Sequence, residues 1–249
     1  MIVEALQSGV RMDAVVGTSD FWGQKPEWLH RCATVGVATF LATPKQMELL
    51  STTDHPAGSL AVVARPQWAE AALWRQAEQR PLLGLLAVTL QDPGNLGTLI
   101  RTLAAAGGTG AWLSTSCAEA SAPKFLRASA GAVLKLPVVE QTDPMLLIAE
   151  CKQRGIQTLA AAPRGGRAHT TFDLTRPTLL VLGGEGGGLT PERVQACDAT
   201  IQIPMPGGLE SLNVSVAGAI LIYEAVRQRR LAQAAKRGND GDRAVERPS

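Results

Sequence analysis

The chain has 249 residues, 45% of them apolar, and a net charge of +2, which suits one large or two small domains and leaves any nucleic-acid surface to local clustering of charge. Four scattered cysteines (Cys32, Cys117, Cys151, Cys197) without a CxxC pair read as buried thiols in a reducing compartment, and three lone histidines (His30, His55, His169) lack the spacing of a metal site, so no metal is expected. No apolar run approaches the roughly 20 residues of a membrane span and no basic-then-apolar secretion signal opens the chain, which points to a soluble, cytoplasmic protein without a membrane partner.

Residues 1–65 alternate helix and strand patterns. Met1 to Gly9 reads as a helix, Ala14 to Gly17 as a strand, Pro44 to Leu50 as a second helix and Ala57 to Val63 as a closing apolar strand. This predicts a small α/β module. Residues 66–81 are polar and bounded by prolines, and read as a linker with at most a helical turn around Trp68 to Trp74. From Leu82 the rhythm changes. Apolar runs at Leu82–Leu90, Ala111–Leu113, Thr158–Ala161, Thr178–Leu182 and Thr200–Ile203 alternate with helical stretches as far as residue 230. That spacing predicts a mostly parallel sheet with helices on both faces. Residues 231–249 are charged and nearly free of apolar residues after Ala235, as expected of a disordered tail.

Three stretches of the second domain carry candidate chemistry. In Leu90 to Gly107, LQDPGNLGTLIRTLAAAG, Asn95 follows Pro93-Gly94, where it could be a turn residue or a helix cap. Arg101 comes six residues later, on a helix whose apolar members are Leu96, Leu99, Ile100 and Leu103. In Leu180 to Glu192, LVLGGEGGGLTPE, a strand runs into a glycine-rich loop that permits tight turns and close ligand approach. Glu185 in that loop has few side chains to pack against, so it should bond backbone N–H groups or a ligand. In Ile203 to Glu224, IPMPGGLESLNVSVAGAILIYE, Pro204 closes a strand, a Pro- and Gly-containing loop follows, and Ser211-Leu212-Asn213 leads into a helix. The expected buried side of that helix is Val216, Ile220, Tyr223 and Val226. A helix start exposes unpaired N–H groups, and Ser211 and Asn213 are residues that cap such starts. Free donors and polar side chains thus converge at one point, as at a ligand site.

These stretches, in this order over residues 82–229, resemble the three signatures of the SpoU/TrmH family of RNA ribose 2′-O-methyltransferases, members of the knotted SPOUT superfamily. The matching residues are Asp92-Pro93, Asn95, Gly97 and Arg101-Thr102 in the first, Gly183, Glu185 and Gly188-Leu189 in the second, and Ser211-Leu212-Asn213 in the third. Thr98 stands where a small Ala is common, and Gly188 makes the second loop more glycine-rich than usual. No G-x-G-x-x-G follows the first strand of the second domain, which disfavours a Rossmann-type methyltransferase.

The resemblance implies an α/β fold: a methyltransferase domain over residues 82–230 with a C-terminal trefoil knot at the second and third signatures, and an N-terminal substrate-binding module over residues 1–65 resembling a ribosomal-protein fold. His55 to Gly58 followed by Leu60 to Val63 resembles the closing strand of that module, whose basic lead-in is missing here. The implied cofactor is S-adenosylmethionine. Leu182, Ile203 and Leu212 would wall its adenosine, with Gly183, Gly184, Glu185 and Gly186 on one side and Met205 and Asn213 on the other, the usual mix of apolar walls and a few fixed polar groups. The implied substrate is rRNA or tRNA, and the implied assembly a homodimer through the knotted domain. The catalytic positions carried over are Asn95, Arg101, Glu185, Ser211 and Asn213. In the family the arginine is often cast as the base, but a guanidinium stays protonated and a nearby phosphate favours its charged form further. Arg101 therefore reads as a phosphate clamp and hydroxyl orienter. Lys124, Arg127 and Lys135 flank the similar segment Ala128 to Gly131, either as a solvated face or as phosphate contacts. The rival reading is a catalytically silent RNA-binding protein on the same knotted fold, which would have no chemical need of all five polar positions.

Overall fold

The computed structural model describes residues 2–53 and 56–245, with side chains to residue 235. His55 and residues 246–249 of the expected tail lie outside the described residues. The chain divides into two units, Met1–Gln67 and Trp68–Ser249.

The first unit runs α1 (Ile2–Ser8), β1 (Met12–Gly17), α2 (Ser19–Gln24), α3 (Pro26–Thr34), β2 (Ala38–Leu41), α4 (Pro44–Leu50) and β3 (Ser59–Val63). β1 lies centrally, parallel to β2 and antiparallel to β3. The turns are specified locally. Thr18 accepts from the Phe21 amide at 3.2 Å to start α2, and Thr43 with Gln46 forms a capping box at α4, where Pro44 fills the first turn. The expected helices and strands at either end of this unit are present. Sequence pattern missed α2, α3 and β2, whose four residues are all exposed and so show no alternation.

In the second unit α5 (Glu70–Gln79) precedes β4 (Leu83–Val88), α6 (Pro93–Ala105), β5 (Gly110–Ser114), α7 (Pro123–Ser129), β6 (Val138–Thr142), α8 (Pro144–Gln153), β7 (Gln157–Ala161), β8 (Arg167–Ala168), β9 (Thr178–Gly183), α9 (Pro191–Ala196), β10 (Ala199–Gln202) and α10 (Val214–Val245). The seven strands form one sheet in the order β6-β5-β4-β9-β7-β10-β8, and every pairing is parallel. All six residues of β4 are buried, as expected of a continuous apolar run at the centre of a sheet covered on both faces.

Three expectations need correction. Residues 66–81 are not a simple linker, because α5 buries Leu73 and Trp74 in the core formed by Leu82, Leu86, Trp112, Leu179 and Val181. Glu70 accepts from the Trp112 indole N–H at 2.9 Å, and the Trp74 and Trp112 rings lie 5.2 Å apart. The few apolar residues of α5 share one face, and polar neighbours dilute them in any window of composition. The stretch after residue 230 is not a disordered tail from its start, since α10 continues to Val245. It is poor in apolar residues but rich in strong helix formers, Ala, Gln, Lys and Arg, with no proline before Pro248. The buried side of α10 is also not the expected one. Leu221, Ile222 and Ala225 are buried, whereas Val216 and Tyr223 are 47% and 50% exposed. Small residues turn inward: a Cβ at Gly218 would sit 2.2 Å from the Leu99 side chain, so the glycine lets α10 lie close to α6. Further along, Arg229 donates to the carbonyls of Pro81, Leu82, Leu174 and Arg176 at 2.8 to 3.0 Å, pinning α10 to the start of β4.

All four cysteines are free, and burial pushes the thiols of Cys151 and Cys197 up to about 12 and about 11. Among the described residues no helix is long and apolar enough to cross a membrane.

Candidate active site

Parallel strands deliver their outgoing loops to one edge of a sheet, which is where open α/β sheets bind ligands. β4 and β9 are neighbours with Val88 opposite Gly183, so the loop that starts α6 and the glycine-rich loop after β9 leave side by side. The second loop is folded back on itself. A Cβ at Gly183 would sit 2.3 Å from the Gly188 carbonyl carbon, and one at Gly184 only 2.1 Å from the Thr89 carbonyl oxygen. Both positions admit glycine alone. Thr89 itself holds φ at 56°, a costly conformation for a β-branched residue. Nothing in the sequence marked Thr89; its role is to press its carbonyl against the loop that presents Glu185.

Three side chains from distant parts of the chain meet at this edge. Asn95, in the first turn of α6, donates from Nδ2 to Glu185 Oε1. Asn213, just before α10, donates from Nδ2 to Asn95 Oδ1 at 3.0 Å and to Glu185 Oε1 at 3.4 Å. Its Oδ1 accepts from the Ser215 and Val216 amides at 2.9 and 3.3 Å, so Asn213 is also the cap of α10. Ser215, which the sequence reading missed, adds its hydroxyl, donating to Asn213 Oδ1 at 2.6 Å. Glu185 therefore bonds side-chain amides and not backbone N–H groups. Asn95 is not the cap of its helix. Asp92 is, accepting from the Asn95 amide at 2.7 Å, while the Lys124 ammonium beside it, with that amide, holds the Asp92 carboxyl below the usual carboxylate range.

A cavity of about 760 Å³ opens next to this cluster, within the size range of small-molecule sites. All nine residues expected to hold a cofactor line it: Leu182, Gly183, Gly184, Glu185 and Gly186 from the strand and loop, Ile203, Met205, Leu212 and Asn213 from the other side. Ser211 lines it as well, and so do Ile201, Leu221 and Glu210. Apolar walls, close backbone at the glycines and two carboxylates suit a ligand with a flat apolar end and a cationic one. Arg101 is not part of the cluster. It is exposed on α6, about 9 Å further along the axis than Asn95 at 1.5 Å per residue. Lys124, Arg127 and Lys135 are likewise exposed, on or just after α7.

The model of the SpoU rRNA Methylase family matches residues 83–223. An uncharacterized tRNA/rRNA methyltransferase of Synechocystis is 34% identical over 83% of this chain and 74% of its own length. The 23S rRNA (guanosine-2′-O-)-methyltransferase RlmB of Xanthomonas campestris is 36% identical over 66% of this chain and 69% of its own. Among solved structures, the SpoU methyltransferase AviRb of Streptomyces viridochromogenes, in complex with the cofactor AdoMet, superposes with a TM-score of 0.79 at 29% identity, covering 92% of this chain and 87% of that one.

Proposed function

The chain belongs to the SpoU rRNA methylase family, and on that premise we propose that it transfers a methyl group from S-adenosylmethionine to a ribose 2′-hydroxyl of rRNA or tRNA. The observation that carries the reading is the Asn95–Glu185–Asn213 cluster, with one residue from each of the three signatures, at the rim of the cavity. The residues present fit the cofactor. Leu182, Ile203 and Leu212 offer apolar walls for adenosine, Gly186, Gly187 and Gly188 line the cavity with open space where a Cβ would stand, and Glu185 and Glu210 favour a cation. When bound, S-adenosylmethionine supplies an electrophilic methyl group on a positively charged sulfur. The protein's part is alignment, for which effective molarities correspond to about 7–11 kcal/mol. Asn95 and Asn213 fix the rim, and the Asn213 cap ties that rim to the start of α10.

Arg101, and with it Lys124, Arg127 and Lys135, would take RNA phosphates, since all four are exposed on α6 or near α7. The first unit would grip RNA. The family's trefoil knot is expected where the second and third signatures meet, and a cytoplasmic location follows from the substrate. A homodimer is part of the reading, because the Val216 and Tyr223 stripe of α10 leaves apolar surface uncovered in one chain. The rival, a silent RNA-binding protein, keeps the grip without the cofactor. Calorimetry separates them: the enzyme binds S-adenosylmethionine or S-adenosylhomocysteine without RNA. No heat for either ligand in a folded sample would refute this reading. Mapping 2′-O-methylation in cellular RNA with and without the protein then identifies the nucleotide.

A further inference from the structure

On the reading that a ribose hydroxyl is the acceptor, we propose that Glu185 takes the hydroxyl proton and that Ser215 is the positioning residue that aims it. The hydrogen bonds at the rim run in one direction. The hydroxyl of Ser215, a residue only 8% exposed, donates to Asn213 Oδ1 at 2.6 Å. With its oxygen thus engaged, the Asn213 amide presents Nδ2 to Asn95 Oδ1 at 3.0 Å and to Glu185 Oε1 at 3.4 Å. Asn95, its oxygen engaged in turn, presents Nδ2 to the same Oε1. Every member upstream donates toward Glu185, and Glu185 ends the line as the one member that only accepts. The donors converge on Oε1, and no described residue donates to Oε2.

The other candidates for the proton are poorer. A guanidinium has no lone pair to offer a proton, and Arg101 stands about 9 Å along α6 from Asn95. The amides and hydroxyls of the rim are not bases. Glu210 lines the cavity but is not hydrogen-bonded to the cluster. The step balances. An oxygen lone pair forms the new O–C bond while the S–C pair returns to sulfur. As that bond forms, the O–H proton passes to Glu185 Oε2 in the same transition state and then to water, carrying away the positive charge that the sulfonium loses.

The decisive variant is Glu185→Gln, which keeps the shape and an acceptor oxygen but is no base. Three quantities are measured: single-turnover methyl transfer to the mapped RNA, and calorimetric affinity for S-adenosylhomocysteine and for RNA. At saturating S-adenosylmethionine the rate should fall at least about 100-fold, the lower bound for losing a general base, with RNA affinity within about three-fold of wild type. A smaller fall, or one matched by lost RNA binding, overturns the proposal. Ser215→Ala should slow transfer about ten-fold with both affinities kept, as loss of alignment without loss of contact requires; an unchanged rate overturns the aiming role. Wild-type protein that methylates no RNA would instead remove the reading on which this one rests.

Discussion

Asn213 does two jobs that two substitutions can separate. Its Oδ1 caps α10 by accepting from the Ser215 and Val216 amides, and its Nδ2 donates to Asn95 and Glu185. Asn213→Ala removes both. Loss of an N-cap costs about 1 kcal/mol, which for a unit of this size lowers Tm by about 2–4 °C. Asn213→Asp keeps the capping oxygen and gains about 0.3–1 kcal/mol against the helix dipole. It also replaces the donor by an oxygen, 3.4 Å from Glu185 Oε1 and 3.0 Å from Asn95 Oδ1. Two like charges at that distance repel by about 1–5 kcal/mol between surface and bulk-water dielectrics. Glu185 is exposed, so the low end applies and roughly offsets the gain at the cap. The Asp variant should therefore melt within a few degrees of wild type, yet lose methyl transfer as completely as the Ala variant, because the rim is broken. Thermal denaturation and single-turnover transfer on the same samples decide it. Turnover retained in the Asp variant and lost in the Ala variant would mean that Asn213 acts as a cap alone.

Gly184→Ala places a Cβ 2.1 Å from a backbone oxygen, so the loop must move; a loss of about 1–3 kcal/mol of stability with weakened S-adenosylhomocysteine binding is expected by denaturation and calorimetry. Arg101→Ala should abolish methyl transfer and leave calorimetric cofactor affinity unchanged, since Arg101 stands outside the cavity; Arg101→Lys should also fail, lacking the planar fork. The Arg227 guanidinium bonded to Glu224, with help from Gln228, holds that carboxyl at about 2, down from its ordinary 4.5. A depressed carboxylate contributes its stability above 4.5 and loses it as pH falls toward 2, so the stability difference between wild type and Glu224→Gln should shrink over that window in acid denaturation. A chain starting at Trp68 should fold and bind cofactor, whereas one starting at Pro81 should melt far lower, because it lacks Leu73 and Trp74 of the core.

The strands of the second unit were legible because a sheet covered on both faces demands apolar runs, and β4, β7 and β9 are such runs. β6 was not, being an edge strand with only its first residue buried. α5 hid behind its polar face, and α10 misled because its inward side is made partly of Ser215, Gly218 and Ala225, too small to register as apolar pattern. Asn95, Glu185 and Asn213 were readable as candidates from residue type and local context. That they bond one another was not, since the meeting depends on β4 and β9 lying side by side. Ser215 and Thr89 carry no local signal of their roles, one being a buried hydroxyl on a helix and the other a backbone carbonyl.

The rim joins residues 90 and 118 positions apart in the chain. Closing loops of such length costs on the order of 4 kcal/mol each in chain entropy, and contacts of this range form late in folding. No nascent fragment that stops short of Asn213 can assemble the rim, and Asn213 is held only once α10 behind it has formed. A chain that has not yet released α10 is thus without its rim. Methyl transfer, wherever it is measured, would count only molecules in which α10 has already docked.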